Sequence, residues 1–331
     1  MRAIVLAAPG RLEMRDVPVP KPQAGQVRVR TAACGICATD LVMIDGDPRV
    51  RPPAVLGHEW SGTVDAVGPG GDGSLVGRRC VAENVLADGG EVGFEHPGGY
   101  GECLVTEARN VHVLPDALDA AAAALIEPLA VGVRAVRRLR LEDTSAALVF
   151  GDGPIGLLAL ALLKRAGVAR VVLVGGRPGR LALARELGAA ETVNYHDVAF
   201  DLAAAVLAKA CRGGACAAAR GFPSVIEASG SAAALEAAFD LAAPGGKVLV
   251  VGDYGDARAA FPWTRLLHRE LELIGSNASA GAWPEAVRIA TAGEAPLARL
   301  VSARYPAARF AEAVARVRGR GDEVKVVLEW M

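Results

Sequence analysis

Two short segments of the chain carry side chains suited to a catalytic metal site. Cys37 lies in residues 34–40, directly after an apolar run, and His58 and Glu59 follow Gly57. A thiolate, an imidazole and a carboxylate are the ligand types of a catalytic zinc ion, which keeps one position open for water or substrate. The Cys34/Cys37 pair could instead be a redox pair, but such a pair normally opens a helix in a thioredoxin-like unit, which is not predicted here.

A second motif fits the binding of a dinucleotide. The pattern G-x-G-x-x-G occurs at residues 68–73 and again at residues 151–156. No helix is predicted after the first copy, which we interpret as a glycine-rich turn. The second copy follows an apolar strand and precedes an apolar helix, so its glycines would permit a tight turn and close approach to a pyrophosphate. The predicted cofactor contacts in this loop are Gly151, Gly153, Pro154, Ile155 and Gly156.

The end of the next predicted strand indicates which dinucleotide binds. An NAD site usually places Asp or Glu there, about 20 residues on, to bind the ribose diol. Here the strand ends in Gly175, Gly176 and Arg177, with no acid. Small glycines leave room for a 2′-phosphate, and an arginine can pair with it, so NADP(H) is favoured over NAD(H). Arg180 and Tyr195 are predicted to close the same pocket. In the alternative interpretation, Arg177 is a solvated residue at a helix start.

The elements that must position these residues follow two different patterns. Short apolar runs separated by Gly and Pro cover the first 115 residues and predict a compact β-barrel or sandwich. From residue 131 to residue 275, apolar strands alternate with helical patterns, which favours a parallel, doubly wound sheet. The remaining tail predicts two helices and a closing strand, which we expect to return to the N-terminal domain.

Composition excludes several classes of partner. Lys and Arg number 36 against 37 Asp and Glu, a net charge of −1, so no patch for nucleic acid or an anionic membrane is expected. Six cysteines in 331 residues are too few for a disulfide framework. The first apolar run is too short for a signal peptide, and glycines interrupt the longest apolar stretch, residues 146–163. We therefore expect a cytoplasmic protein of about two domains, with no membrane or nucleic-acid partner.

Taken together, these motifs resemble the zinc-dependent alcohol dehydrogenases of the medium-chain dehydrogenase/reductase superfamily. The resemblance covers essentially the whole chain and depends on residues 37–40, 57–59, 127–130 and 151–156. It implies an α/β fold made of a GroES-like β-barrel catalytic domain and a doubly wound Rossmann cofactor domain. The catalytic domain would comprise residues 1–130 plus 276–331, and the NADP-binding Rossmann domain residues 131–275.

The resemblance also implies a set of metal ligands. The positions of Cys37 and His58 are zinc ligands in that family, and the position of Glu127 supplies the third ligand in its polyol-dehydrogenase branch. Glu59 would lie beside the metal and exchange with water as a ligand. The alternative for Glu127 is a carboxylate at a helix start, which its neighbour Pro128 also fits.

Two further side chains are implied in catalysis. Asp40 would accept a hydrogen bond from the second nitrogen of His58 and so fix its tautomer, and Thr39 would contact the substrate oxygen and pass on its proton. The alternative is that Thr39 and Asp40 form a capped turn. Several members place a histidine three residues after the relay hydroxyl, where this chain has Val42. The outer end of the relay would then be water, the cofactor ribose or another side chain.

A second departure concerns structural zinc. Many members hold one with four closely spaced cysteines, but residues 88–101 contain none. We therefore predict one catalytic zinc per chain and no structural zinc. The predicted non-ligand cysteines are Cys34, Cys80, Cys103, Cys211 and Cys216.

The implied reaction is hydride transfer between NADP(H) and a secondary alcohol or ketone, with zinc lowering the pKa of the substrate hydroxyl. Residues 58–62 and 127–131 look most like polyol and cyclitol dehydrogenases, so a polar polyol, cyclitol or sugar alcohol, phosphorylated or not, is expected. Dimers and tetramers occur in the family, which implies a homodimer or homotetramer. Alternatives are a zinc-free quinone or enoyl reductase and a non-catalytic nucleotide-binding protein, neither of which needs Cys37, His58 and Glu127 together.

Overall fold

The computed structural model of the chain describes residues 1–198, 202–210, 221–255, 258 and 263–330. The chain forms two compact units. Unit 1 comprises Met1–Glu127, Trp283–Gly293 and Leu297–Met331, and unit 2 comprises Pro128–Ala282 and Glu294–Pro296.

The unit boundaries differ from the predicted ones at residues 128–130, 276–282 and 294–296, which belong to unit 2. Hydrogen bonds explain the difference at residues 276–282. The Ser276 amide donates to the Val250 carbonyl, and Arg134 donates to the Ala280 carbonyl at 2.7 Å. Both partners lie in unit 2, so the segment stays with the strand that precedes it.

Fifteen strands occur in the described residues. In chain order they are β1 (Arg2–Ala8), β2 (Arg11–Asp16), β3 (Gln26–Ile36), β4 (Glu59–Val67), β5 (Arg79–Ala82), β6 (Cys103–Glu107), β7 (Val111–Val113), β8 (Ala146–Phe150), β9 (Arg170–Gly175), β10 (Glu191–Asn194), β11 (Phe222–Glu227), β12 (Ala242–Val250), β13 (Glu272–Gly275), β14 (Val301–Pro306) and β15 (Lys325–Glu329).

Eleven α-helices accompany these strands in the same described ranges, together with short 3-10 turns. They are α1 (Ala38–Asp45), α2 (Ala120–Ala124), α3 (Ile126–Leu139), α4 (Pro154–Arg165), α5 (Pro178–Glu186), α6 (Leu202–Ala210), α7 (Ala232–Leu241), α8 (Trp263–His268), α9 (Trp283–Thr291), α10 (Leu297–Leu300) and α11 (Phe310–Arg318). None of the described helices has the length and apolar character needed to cross a membrane.

Unit 1 is built on a seven-stranded sheet in the order β14-β15-β3-β4-β5-β7, with β6 also paired to β3. The central strand β3 lies between β4 and β15, so that Gly35 pairs with Glu59 on one side and with Val327 on the other. This register brings the start of β4, the end of β3 and the start of β15 together. The core behind them includes the buried side chains of Leu56, Trp60 and Tyr100.

Unit 2 contains a parallel six-stranded sheet in the order β10-β9-β8-β11-β12-β13. β8 is central, and its side chains are buried throughout. The chain runs outward from β8 to β9 and β10, then returns to pair β11 on the other side of β8. Such a reversal of strand order creates a crevice at the carboxyl ends of the strands, where doubly wound sheets bind ligands. The predicted α/β fold class is confirmed.

Candidate metal and cofactor sites

Three of the predicted metal-binding side chains meet within unit 1. The sulfur of Cys37, a ring nitrogen of His58 and a carboxylate oxygen of Glu59 all lie within 4.8 Å of one another. Cys37 is the residue before α1, and His58 and Glu59 lie where β4 begins. Gly57 turns the chain into β4 with φ +97°, and a Cβ there would approach the Tyr100 ring to 2.5 Å. The backbone therefore requires glycine next to His58.

Asp40 holds the imidazole of His58 from the buried side. One oxygen of the fully buried Asp40 lies 3.2 Å from His58 Nδ1. The other accepts the Cys37 amide at 2.7 Å and the Tyr100 hydroxyl at 3.2 Å. Nε2 of His58 is thereby left for a metal. Burial disfavours the imidazolium, but the Asp40 carboxylate and Cys37 raise the pKa of His58 well above its ordinary value. These two groups thus favour a positive charge on the His58 imidazole.

Glu59 forms an ion pair that the sequence did not indicate. Its Oε1 lies 2.6 Å from Nζ of Lys325, and both side chains are buried. Burial opposes the ammonium form, but Glu59 and Cys37 raise the pKa of Lys325 above its usual range. Oε2 of Glu59 is buried without a hydrogen-bond partner. The available signal was a lysine at the start of an otherwise apolar closing strand, Lys325-Val326-Val327-Leu328.

Glu127, also predicted to be a ligand, is not part of this three-residue cluster. Burial raises the pKa of its carboxyl to about 7, while the charges of His58 and Lys325 lower it and that of Glu59 raises it. Glu127 is therefore close enough to respond electrostatically to the cluster. It follows α2, which is anchored to β4 by a 2.7 Å hydrogen bond from the Ser61 hydroxyl to the Ala120 carbonyl.

The predicted relay hydroxyl lies on the accessible side of the cluster. The Cys37 thiol lies 3.6 Å from the Thr39 hydroxyl oxygen, and Thr39 is half-buried. Val42, one turn further along α1, is 52% exposed. Val42 thus faces solvent, and water can reach this side of α1.

The donor set fits a zinc ion on the chemistry of its atoms. A thiolate, an imidazole nitrogen and a carboxylate oxygen are borderline-soft and hard donors of the types that zinc takes in catalytic sites. The unpartnered buried Oε2 of Glu59 supports the fit, because a buried carboxylate oxygen without a partner is costly unless a cation satisfies it. Cys34, Cys80 and Cys103 are free thiols outside the cluster, and Cys211 and Cys216 lie outside the described residues.

The second glycine motif forms the expected turn between β8 and α4. Gly151 has φ +110°, which favours glycine. A Cβ on Gly156 would approach the Gly151 carbonyl oxygen to 2.0 Å, so the helix packs directly on the turn. A Cβ on Gly153 would meet nothing within 4 Å, which leaves the backbone open to an approaching phosphate. Pro154 begins α4 and Ile155 follows it, so the helix N-terminus offers free N–H groups to an anion.

The end of β9 lies against this loop. Asp152 accepts hydrogen bonds from the amides of Gly176 and Arg177, each at 2.8 Å. Its other carboxylate oxygen lies 3.0 Å from the Arg177 guanidinium and 3.9 Å from that of Arg180. A Cβ on Gly175 would approach the Asp152 side chain to 2.6 Å. The predicted pocket residues are therefore adjacent, but an acidic side chain that was not predicted lies among them.

Tyr195 completes this group. It follows β10, and its ring covers Gly176 so closely that a Cβ there would approach the ring to 2.5 Å. The ring also contacts His196, with centroids 4.2 Å apart, and is 49% exposed. A side chain at position 176 would thus require the Tyr195 ring to move aside.

Both units match known protein families. Residues 23–116 match the family described as alcohol dehydrogenase GroES-like domain, and residues 154–292 match the family described as zinc-binding dehydrogenase.

Individual relatives extend over the full chain. D-arabitol-phosphate dehydrogenase from Enterococcus avium is 30% identical over 99% of this chain and 97% of its own length. A zinc-binding dehydrogenase from Sinorhizobium meliloti, solved with NADP, superposes with a TM-score of 0.90 at 27% identity, covering 99% of this chain and 98% of that one. The alcohol dehydrogenase rspB of Escherichia coli CFT073, solved with NADH, gives a TM-score of 0.90 at 25% identity and covers 99% of both chains.

Proposed function

The chain belongs to the zinc-type medium-chain alcohol and polyol dehydrogenases, and on this basis we propose that it transfers a hydride between NADP(H) and a secondary alcohol or ketone of a polyol, cyclitol or sugar alcohol. The observation that carries the proposal is the buried cluster of Cys37, His58 and Glu59. A zinc-free quinone or enoyl reductase has no use for these three donors in one place.

The proposed zinc ligands are Cys37, His58 and one carboxylate at a time, from Glu59 or Glu127. Glu59 belongs to the cluster, but Lys325 competes for its charge, and Glu127 is a second carboxyl within electrostatic reach. A zinc ion held there would supply the Lewis acidity that lowers the pKa of a substrate hydroxyl.

The chain's own side chains then move and hold protons. The Thr39 hydroxyl is the proposed acceptor of the substrate's hydroxyl proton, which it passes outward to water beside Val42. Asp40 is the proposed positioning residue, because its carboxylate lies 3.2 Å from His58 Nδ1, where it would favour one tautomer of the imidazole. Tyr100 and the Cys37 amide in turn fix Asp40.

The proposed cofactor site is the loop 151–156 with the end of β9. The open backbone at Gly153 and the N-terminus of α4 are suited to the pyrophosphate. Arg177 and Arg180 are the basic groups next to the proposed adenosine ribose position and support NADP. Tyr195 covers the same end of the sheet.

A groove in unit 1 supports a polar substrate. It has a volume of about 460 Å³ and includes Arg49, Arg51, Phe94 and His96 in its lining. The Phe94 ring contacts the His58 ring at 4.7 Å and the Arg49 guanidinium at 4.2 Å. Polar side chains therefore lie one aromatic ring away from a proposed zinc ligand, and the charge of Arg49 is balanced there by Glu91 at 2.8 Å and Glu95 at 2.5 Å.

The edge strand β13 supports assembly into a homodimer or homotetramer. β13 is the last strand of its sheet, and Leu273 on it is 46% exposed. Trp263 and Leu267 on α8 are 67% and 71% exposed. Apolar edges of this kind are normally covered by another chain. Light scattering on the purified protein would give a mass of two or four chains, and a monomer would contradict this part of the proposal.

The function is tested by a substrate panel with NADP and with NAD, using free polyols, cyclitols and polyol phosphates. We expect oxidation of a secondary alcohol in the panel by the wild-type protein and none by a His58→Ala variant that still binds nucleotide. Reduction of quinones or enones by both proteins at equal rates would instead identify the zinc-free reductase.

A further inference from the structure

The glycine loop of unit 2 contains an acidic residue at its second position, Asp152, whose side chain crosses to the neighbouring strand. Asp152 is buried, with 4% of its surface exposed. A buried carboxylate must be compensated, and here donors at the end of β9 and the start of α5 compensate it. Asp152 therefore acts as an anion bound at the position where a ligand anion is expected.

The hydrogen-bond donors that Asp152 uses are the ones a 2′-phosphate would need. Two are the backbone amides of Gly176 and Arg177, both at 2.8 Å from one carboxylate oxygen. The third is the Arg177 guanidinium, 3.0 Å from the other oxygen. A phosphate approaching this turn meets donors that already bind a carboxylate, and it also meets the negative charge of that carboxylate.

The Asp152 side chain fills the space at the end of β9, which explains why position 175 is glycine and not an acidic residue. A side chain at Gly175 would overlap the Asp152 side chain, with the closest atoms 2.6 Å apart. The acidic group that an NAD site usually carries at the end of the second strand thus comes, in this chain, from the glycine loop.

We propose that Asp152 is a specificity-determining residue for the dinucleotide, which weakens the binding of a 2′-phosphate and so limits the preference for NADP that Arg177 and Arg180 create. This inference rests on the proposed nicotinamide site, but it is tested by a different measurement from the one that tests the proposed function. The proposed function concerns the preference of the wild-type protein, whereas the inference concerns the direction in which that preference moves when the Asp152 charge is removed.

The experiment compares two fragments of the cofactors, adenosine 2′,5′-bisphosphate and 5′-AMP, which differ only in the 2′-phosphate. Their dissociation constants are measured by calorimetry at one ionic strength for wild type, Asp152→Asn and Asp143→Asn. Asp143 is an exposed residue just before β8, so its variant loses the same charge away from the loop. A second variant, Asp152→Ser, keeps a small hydrogen-bond acceptor and is used where the amide variant melts early.

We expect the ratio of the 5′-AMP to the bisphosphate dissociation constant to rise about tenfold in Asp152→Asn, as removal of one nearby like charge predicts. The ratio should stay unchanged in Asp143→Asn. An unchanged or lowered ratio in both Asp152 variants would overturn the inference. Equal weakening of both nucleotides would do the same, because it would mean that Asp152 only holds the turn.

The outcome for the proposed function is read separately. A wild-type protein that binds 5′-AMP more tightly than the bisphosphate would contradict the NADP preference. The inference on Asp152 would still be decided by whether the ratio of the two dissociation constants rises in the Asp152 variants. Failure of the wild-type protein to bind either nucleotide would overturn both.

Discussion

At the scale of single residues, the proposed metal centre depends on the neighbours of its ligands. Asp40 is buried and contacts a predicted ligand at each end of its carboxylate, His58 Nδ1 at 3.2 Å and the Cys37 amide at 2.7 Å. Replacing the carboxylate with an amide removes the charge that supports the imidazole and introduces a donor beside Nδ1. The metal affinity should therefore depend on a residue that does not touch the metal.

We predict that Asp40→Asn lowers the zinc affinity by about 10–100-fold, the usual effect of losing a carboxylate behind a ligand histidine. Competition with a chromophoric chelator measures the affinity directly. Tyr100→Phe is the matched control, since it removes one hydrogen bond to Asp40 and keeps the carboxylate. A zinc affinity of Asp40→Asn within threefold of wild type would mean that Asp40 only stabilises the turn before α1.

The buried pair of Glu59 and Lys325 gives a second prediction at this scale. Lys325→Met leaves Glu59 buried without its cation, which should lower the free energy of unfolding by about 3–5 kcal/mol. Adding Glu59→Gln should recover a large part of that loss, because no unpaired charge then remains. Urea unfolding in the presence of chelator measures both variants without a contribution from metal. Equal losses in the single and the double variant would exclude a charge effect.

The sequence indicated ligand types but not their partners. Cys37, His58 and Glu59 were predicted because their types suit a catalytic zinc ion and the motifs around them resemble a known family. Lys325 and Asp152 were missed because each acts through a contact set by strand pairing. Lys325 reaches Glu59 only because β3 lies between β4 and β15, and no local pattern encodes that register.

At the scale of elements, α2 links β4 to the segment that carries Glu127. Asp119 caps this helix by accepting the Ala122 amide at 2.9 Å, and it also pairs with Arg304 of β14 at 2.7 Å. The helix has only five residues, so its ends determine whether it forms. The cap should therefore influence the orientation of Glu127 as well as stability.

We predict that Asp119→Ala lowers the free energy of unfolding by about 1 kcal/mol, the usual cost of a lost N-cap. The Arg304 hydrogen bond lowers the pKa of Asp119. Its contribution is therefore complete above the unfolded-state pKa of about 3.9 and is lost as the pH falls through the lower folded-state value.

The measurement is urea unfolding of wild type, Asp119→Ala and Asp119→Asn at pH 7 and again near pH 3. Asp119→Asn keeps a capping oxygen and loses only the charge. The difference between Asp119→Ala and wild type should shrink at the lower pH. A difference that grew on acidification would contradict the assigned direction of the pKa shift.

Elements with strong periodicity were predictable and weakly patterned ones were not. The apolar helix predicted after the second glycine motif is α4, and the predicted alternation of strands and helices from residue 131 to residue 275 is present in unit 2. β2 was missed although Leu12 and Met14 alternate with charged residues, because the strand is dominated by those charges. α1 was missed because its eight residues are too few for a clear helical period.

At the scale of the whole molecule, the two proposed sites lie in different units. The cluster of Cys37, His58 and Glu59 lies in unit 1, and the loop 151–156 lies in unit 2. Each site is formed from residues of its own unit. Loss of metal should therefore leave nucleotide binding intact.

We predict that dialysis against a strong chelator abolishes alcohol oxidation, while the affinity for adenosine 2′,5′-bisphosphate changes less than twofold. Activity should return when zinc is added and should remain absent when magnesium is added, because a thiolate ligand favours the softer ion. Loss of nucleotide binding together with the metal would show that the two sites depend on each other.

Elemental analysis of zinc per chain, on protein purified without chelator, tests the proposed metal centre most directly. Wild type and Cys103→Ser, whose substituted cysteine lies outside the cluster, should each hold one zinc per chain, and Cys37→Ser should hold none. Two zinc ions per chain would contradict the predicted absence of a structural site. A wild-type protein without zinc, even after reconstitution, would contradict the metal centre and the proposed reaction.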